Sequence, residues 1–192
     1  MRLFQNIEKF KNETALINDA GKKFTYRKIS SHSKEISKII KPRSLVLLIS
    51  ENSIGSVISY ISLIKNDCVV IIIDVKTSAD NVLELFKKYK PNFIFFPQNW
   101  TNLQKFRNCS FLTSFLNYDV ICNNVQNKFK INPELSMLLT TSGSMGSPKL
   151  VRLSKKNLFE NTNSIRDYLK INHKKRSITT MPTSYSFMIS II

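Results

Sequence analysis

Leu135-Ser136-Met137-Leu138-Leu139-Thr140 runs directly into Thr141-Ser142-Gly143-Ser144-Met145-Gly146-Ser147-Pro148-Lys149, and Leu150-Val151-Arg152-Leu153 follows. The two apolar runs read as strands, and the small polar residues between them read as a loop. Gly143 and Gly146 open backbone angles closed to other residues and let N–H groups approach an anion without a side chain in the way. Thr141, Ser142 and Ser144 add hydroxyl donors suited to phosphate oxygens. Pro148 stiffens the exit, and Lys149 sets a full positive charge where a terminal phosphate would lie. This strand–loop–strand segment therefore reads as a cradle for nucleotide phosphates. It is not the Walker loop G-x-x-x-x-G-K-S/T, because only Ser144 and Met145 separate the glycines and the lysine follows a proline.

Upstream, apolar spacing alternates between two periods. Ala15-Leu16-Ile17 and Phe24-Thr25-Tyr26 flank a turn at Asn18-Asp19-Ala20-Gly21, the pattern of a hairpin. Ile29, Ile36, Ile39 and Ile40 mark a helix with Thr25 as its candidate cap. Ser44–Ser50 and Cys68–Asp74 are short apolar runs suited to buried strands. Between them Ser53 can cap a helix whose apolar face holds Ile54, Val57, Ile58, Ile61 and Ile64. Val82, Leu83, Leu85, Phe86 and Tyr89 mark a helix that must stop before Pro91. Phe93–Phe96 and Tyr118–Cys122 read as further strands, and Ser154 caps a last helix carrying Leu158, Ile165 and Leu169.

Strands alternating with helices predict an α/β fold with mostly parallel sheets covered by helices. In such sheets ligands bind beyond the carboxyl ends of the strands. Asp74 ends a buried strand and is a candidate for ligand contact or for loop capping. Residues 123–133 are polar and irregular and form a candidate junction between subdomains. Trp100 and the phenylalanines are expected in the core, and His32 is expected to be packed rather than a ligand.

Composition narrows the function classes. The net charge is +16, yet the cations are spread along the chain and the densest run, His173-Lys174-Lys175-Arg176, is short. No arginine-rich arm, finger spacing or RNP-like motif accompanies them, so nucleic acid is not an expected partner. Cys68, Cys109 and Cys122 stand far apart and read as reduced apolar fillers. His32 and His173 share no ligand spacing with them, so no protein metal site is expected. No run of about 18 apolar residues suggests a membrane span, and no signal-peptide pattern opens the chain, which makes a cytoplasmic location the expectation.

Thr141-Ser142-Gly143-Ser144-Met145-Gly146-Ser147-Pro148-Lys149 resembles the signature loop of the AMP-forming adenylating enzymes, T-S-G-S/T-T-G-x-P-K. That family comprises acyl-CoA synthetases, peptide-synthetase adenylation domains and luciferases. Phe24-Thr25-Tyr26-Arg27 is similar to the family's early aromatic segment. Glu51-Asn52-Ser53, the helix after it and Val69–Asp74 resemble its first strand–helix–strand unit. Met181-Pro182-Thr183-Ser184-Tyr185-Ser186-Phe187 looks like the following motif, a P-x-x-aromatic segment beside the acyl and adenylate pocket. The resemblance follows nearly the whole chain in order, and its one highly specific motif is the loop.

The resemblance implies a ligase that activates a carboxylic acid with ATP and Mg²⁺ as an acyl-adenylate and then transfers it to the thiol of CoA or a carrier protein. By position, Thr141, Ser142, Gly143, Ser144, Gly146 and Lys149 would hold the phosphates, with Lys149 neutralising charge in the reaction. Tyr185 would line the carboxylate pocket, and core packing is its alternative. Met145 stands where the family has threonine, and Met188 where a glycine commonly follows the aromatic motif. The Y-G-x-T-E segment, the ribose-binding aspartate and the C-terminal lysine of the family have no counterpart in residues 1–192. The chain is therefore expected to be the N-terminal part of an adenylation domain, with a second chain as a candidate partner. The competing readings are a non-catalytic nucleotide- or partner-binding remnant and a basic nucleic-acid-binding protein.

Overall fold

The computed structural model describes residues 3–101, 106, 108–125, 130–140, 149–172, 174–185 and 189. Its centre is set by two apolar runs that bury both faces. β3 (Leu45–Ser50) is buried at every position and β4 (Val69–Asp74) at all but its last. They pair in parallel, from Leu45 against Val69 to Ser50 against Asp74. A strand buried on both faces needs a cover on each, and parallel pairing with crossover helices supplies it.

β5 (Phe93–Pro97) adds to β3 in parallel, and β8 (Leu135–Thr140) adds to β4 in parallel. The outer strands run the other way. β7 (Tyr118–Asn123) pairs antiparallel with β5, β6 (Cys109–Phe115) with β7, and β9 (Leu150–Ser154) with β8. The seven-stranded order is β6-β7-β5-β3-β4-β8-β9. The predicted parallel arrangement thus holds for the four central strands, and hairpins close both edges. The β6–β7 turn places Leu116 and Asn117 at φ 48° and 64°, the mirror-image turn geometry whose twist matches a hairpin. β6 had no sequence signal, because its apolar residues do not alternate and it lies exposed at the edge.

Thr25, Ser53 and Ser78 cap α1 (Tyr26–Ile39), α2 (Ile54–Lys65) and α3 (Ala79–Tyr89), each accepting a backbone N–H of the first turn. β1 (Thr14–Ile17) and β2 (Lys23–Thr25) form the expected hairpin before α1. α3 ends at Lys90, in a left-handed conformation just before Pro91. α4 (Lys155–Tyr168) begins in a capping box, in which Ser154 and Asn157 satisfy each other's backbone N–H.

Successive strand residues point to opposite faces, so the sheet divides the core in two. Val46, Leu48, Val70, Ile72 and Phe95 pack under α1 and α2. Leu47, Ile49, Ile71, Ile73 and Phe96 pack against Val82, Leu85 and Trp100. Trp100, Phe95 and Phe96 are core residues as expected, but Phe111 is 64% exposed. Phe111 belongs to edge strand β6, which nothing described covers on that side. Among the described residues no helix is long and apolar enough to cross a membrane.

Burial also fixes a pH dependence. It pushes the Cys68 thiol from 9.0 to about 12, the Cys109 thiol from 9.0 to about 11 and the Tyr118 hydroxyl from 10.0 to about 12. The unfolded chain loses these protons first. The contribution of these three groups to stability is therefore fully present below about pH 9 and falls as the pH rises through the window up to about 12. Lys65, whose pKa is lowered by burial, works in the opposite direction. Urea unfolding at a series of alkaline pH values should show the decline, and Cys68→Ala should flatten it.

Candidate functional site

The carboxyl ends of β3, β4 and β8 lie side by side in the sheet and carry Ser50, Asp74 and Thr140. Strand ends of a parallel sheet leave their next residues free to meet a ligand. Thr140 pairs with Leu150, so residues 141–149 form the connection of the β8–β9 hairpin at this end. Thr141, Ser142, Gly143, Ser144 and Gly146, together with Met145, lie outside the described residues. Lys149 is described. It stands exposed immediately before β9.

A second segment reaches the same strand ends. Met181–Tyr185 is held there by polar contacts with residues more than a hundred positions earlier. The Asn52 amide grips it from both sides: Nδ2 donates to the Met181 carbonyl at 3.0 Å, and Oδ1 accepts the Thr183 N–H at 2.9 Å. The Thr183 hydroxyl donates to the Glu51 carbonyl at 3.0 Å and touches the Ser50 hydroxyl, which lies 2.8 Å from Ser56 Oγ. Ser50, Ser56 and Thr183 are 2%, 1% and 5% exposed. A buried hydroxyl without a partner is costly, so three that satisfy one another specify a single seating of the segment.

Asp74 takes the loop-capping role and also holds a distant segment of the chain. Its Oδ1 accepts the Lys76 N–H at 2.8 Å and caps the loop, while Oδ2 accepts the Ser184 hydroxyl at 3.0 Å. Tyr185 follows at once. It is 56% exposed, so it is not a core residue. Met188 lies outside the described residues.

Beneath this row sits Tyr118. Its hydroxyl donates to the Ile49 carbonyl at 3.0 Å and accepts the Glu51 N–H at 3.4 Å, joining the last turn of β3 to β7. Sequence reasoning missed Asn52, Thr183 and Tyr118 as site-building residues. One signal was present: from the cap Ser53 onward, Ser56, Ser59 and Ser62 recur every third residue into α2. Ser56, Ser59 and Ser62 are buried, a small-residue stripe along which other backbone can approach.

Comparison with known proteins gives this arrangement its family. The profile of the AMP-binding enzymes matches residues 3–192. The chain belongs to the AMP-binding enzyme family. Among solved structures it is similar to O-succinylbenzoate coenzyme A synthetase (MenE) from Bacillus subtilis in complex with AMP. The TM-score is 0.70 at 16% identity, over 98% of this chain and 51% of that one. Apo MatB from Rhodopseudomonas palustris matches with a TM-score of 0.69 at 13% identity, over 94% of this chain and 39% of that one. The luciferase-like enzyme of the Zophobas morio mealworm matches with a TM-score of 0.66 at 17% identity, over 98% and 49%. At such identities these likenesses establish the AMP-binding enzyme fold. The chain spans between 39% and 51% of the length of these relatives. The search of curated proteins found no match.

Proposed function

We propose that this chain supplies the phosphate-holding part of an adenylate-forming ligase. The observation that carries the reading is the β8–β9 hairpin. Its connecting loop has the sequence of a phosphate cradle, and its ends fall at the carboxyl end of a parallel sheet. Thr141, Ser142, Gly143, Ser144 and Gly146 would donate hydrogen bonds to the β- and γ-phosphates of ATP, and Lys149 would balance their charge. An oxygen of the carboxylic acid would attack the α-phosphorus, and the bond from that phosphorus to the bridging oxygen would break. Pyrophosphate would leave with the negative charge that Lys149 and the loop stabilise. Tyr185 would line the acid's pocket. The thiol of CoA or of a carrier protein would then lose its proton and form a bond to the acyl carbon, while the bond from that carbon to the phosphate oxygen breaks and AMP leaves.

Among the described residues no three His, Cys, Asp or Glu side chains form a metal cage. Mg²⁺ fits such a site as a companion of the nucleotide, since it is commonly bound through phosphate oxygens with few protein carboxylates. Under this proposal no residue is assigned to adenine or ribose, and the chain spans about half the length of the first of these relatives.

The test is thermal unfolding with and without Mg-ATP. A ligand at about a hundredfold excess over its Kd stabilises the folded state by about 2.7 kcal/mol. For a chain of this size that is a rise of roughly 5–10 °C. The rise is expected in the wild type and lost in Lys149→Ala. A cooperative melt that ATP leaves unmoved would contradict the proposal.

A further inference from the structure

The contacts around Met181–Tyr185 support more than a packing role. We infer that Asn52 is a positioning residue for the carboxylate pocket, and that the pocket wall bearing Tyr185 is set before any nucleotide arrives. The inference rests on the adenylate-forming reading for what the wall faces, and on geometry alone for what holds it.

Asn52 directly precedes Ser53, the cap of α2, so its backbone is fixed by the helix start and the end of β3. From that fixed point one amide engages both the carbonyl of Met181 and the N–H of Thr183. An amide that donates and accepts to two groups flanking one residue reads the register of the segment it meets. A slip by one residue would break both bonds. The buried Ser50–Thr183 and Thr183–Glu51 contacts lock the same register from the other side. Ser184 on Asp74 extends it to the end of β4. Tyr185 is the next residue, and its N–H donates to the Pro182 carbonyl at 3.0 Å. Its own side chain is half exposed. The clamp fixes the backbone from which the ring projects. Among the described residues the clamp contacts run between Met181–Ser184 and Ser50, Glu51, Asn52 and Asp74.

Residue-resolved amide exchange of the chain without nucleotide, with ring-carbon NMR of its tyrosines, tests this. The Thr183 amide should be protected in the wild type. In Asn52→Ala it should exchange at least about tenfold faster, because its acceptor is gone. The Tyr185 ring resonance should move while that of Tyr118, anchored on Ile49, stays in place. Asn52→Asp keeps an acceptor oxygen for Thr183 and should restore most of the protection. Unchanged Thr183 exchange in Asn52→Ala would overturn the inference, as would an equal shift of the Tyr118 ring, which marks a general loss of structure. Thr183→Val is the second variant and should release the same ring. Mg-ATP should stabilise Asn52→Ala as it does the wild type. If ATP stabilises neither, the assignment of the wall to a carboxylate pocket falls while the exchange results stand, so the two failures are distinguishable.

Discussion

Gly55→Ala should lower the stability of the chain by about 3 kcal/mol, at the upper end of what overpacking costs. Gly55 lies in the first turn of α2, where the helix meets the β6–β7 hairpin. A methyl group there would come within 2.5 Å of the Leu116 carbonyl oxygen and 2.7 Å of Tyr118 Cδ2. Neither neighbour can yield easily. The carbonyl belongs to the tight turn in which Leu116 and Asn117 both have left-handed backbone angles. The Tyr118 ring is fully buried and fixed by its hydrogen bonds. The damage would spread to the site, because Ser53, Ser56 and Asn52 stand at this same end of α2. Urea unfolding should show the loss as a lower midpoint with an unchanged slope.

Tyr118→Ala should cost more, about 4 kcal/mol, as a large aromatic truncated in a close-packed core. Tyr118 is among the largest fully buried side chains. Its ring fills the space beside α2, and its hydroxyl joins the carbonyl of Ile49 to the N–H of Glu51. Tyr118→Phe separates the two contributions. It keeps the ring and strips the hydroxyl, which leaves buried backbone groups short of a partner at a cost of about 1–3 kcal/mol. Gly55 and Tyr118 are in contact, so the double variant should not be additive. Removing the ring opens room for the added methyl, and Gly55→Ala should cost less in the Tyr118→Ala background.

The legible part of this protein is the part where local pattern and final burial agree. β3 and β4 are apolar at nearly every position, and the sheet buries nearly every position. The caps Thr25, Ser53 and Ser154 begin helices because a side-chain oxygen at that point satisfies a helix N–H whatever the rest of the fold does. β6 was illegible for the opposite reason: its residues are mostly exposed, and only pairing with β7 makes it a strand.

The site divides in the same way. The loop announces itself through glycines and hydroxyls in one short stretch. Asn52 and Thr183 do not, because each is an ordinary polar residue until the fold brings the end of β3 against a segment more than a hundred positions later. Asp74 was legible as a strand end but not in its partner. Its two oxygens serve a local N–H and a distant hydroxyl at once.

The most direct measurement is a calorimetric titration of the chain with ATP, pyrophosphate and AMP, each with Mg²⁺. Under the proposed function the β8–β9 connection holds the β- and γ-phosphates. ATP and pyrophosphate should therefore bind, AMP should bind far more weakly, and Lys149→Ala should weaken the first two alone. AMP binding as tightly as ATP, or ATP binding untouched by Lys149→Ala, would contradict the assignment of this loop to the phosphates.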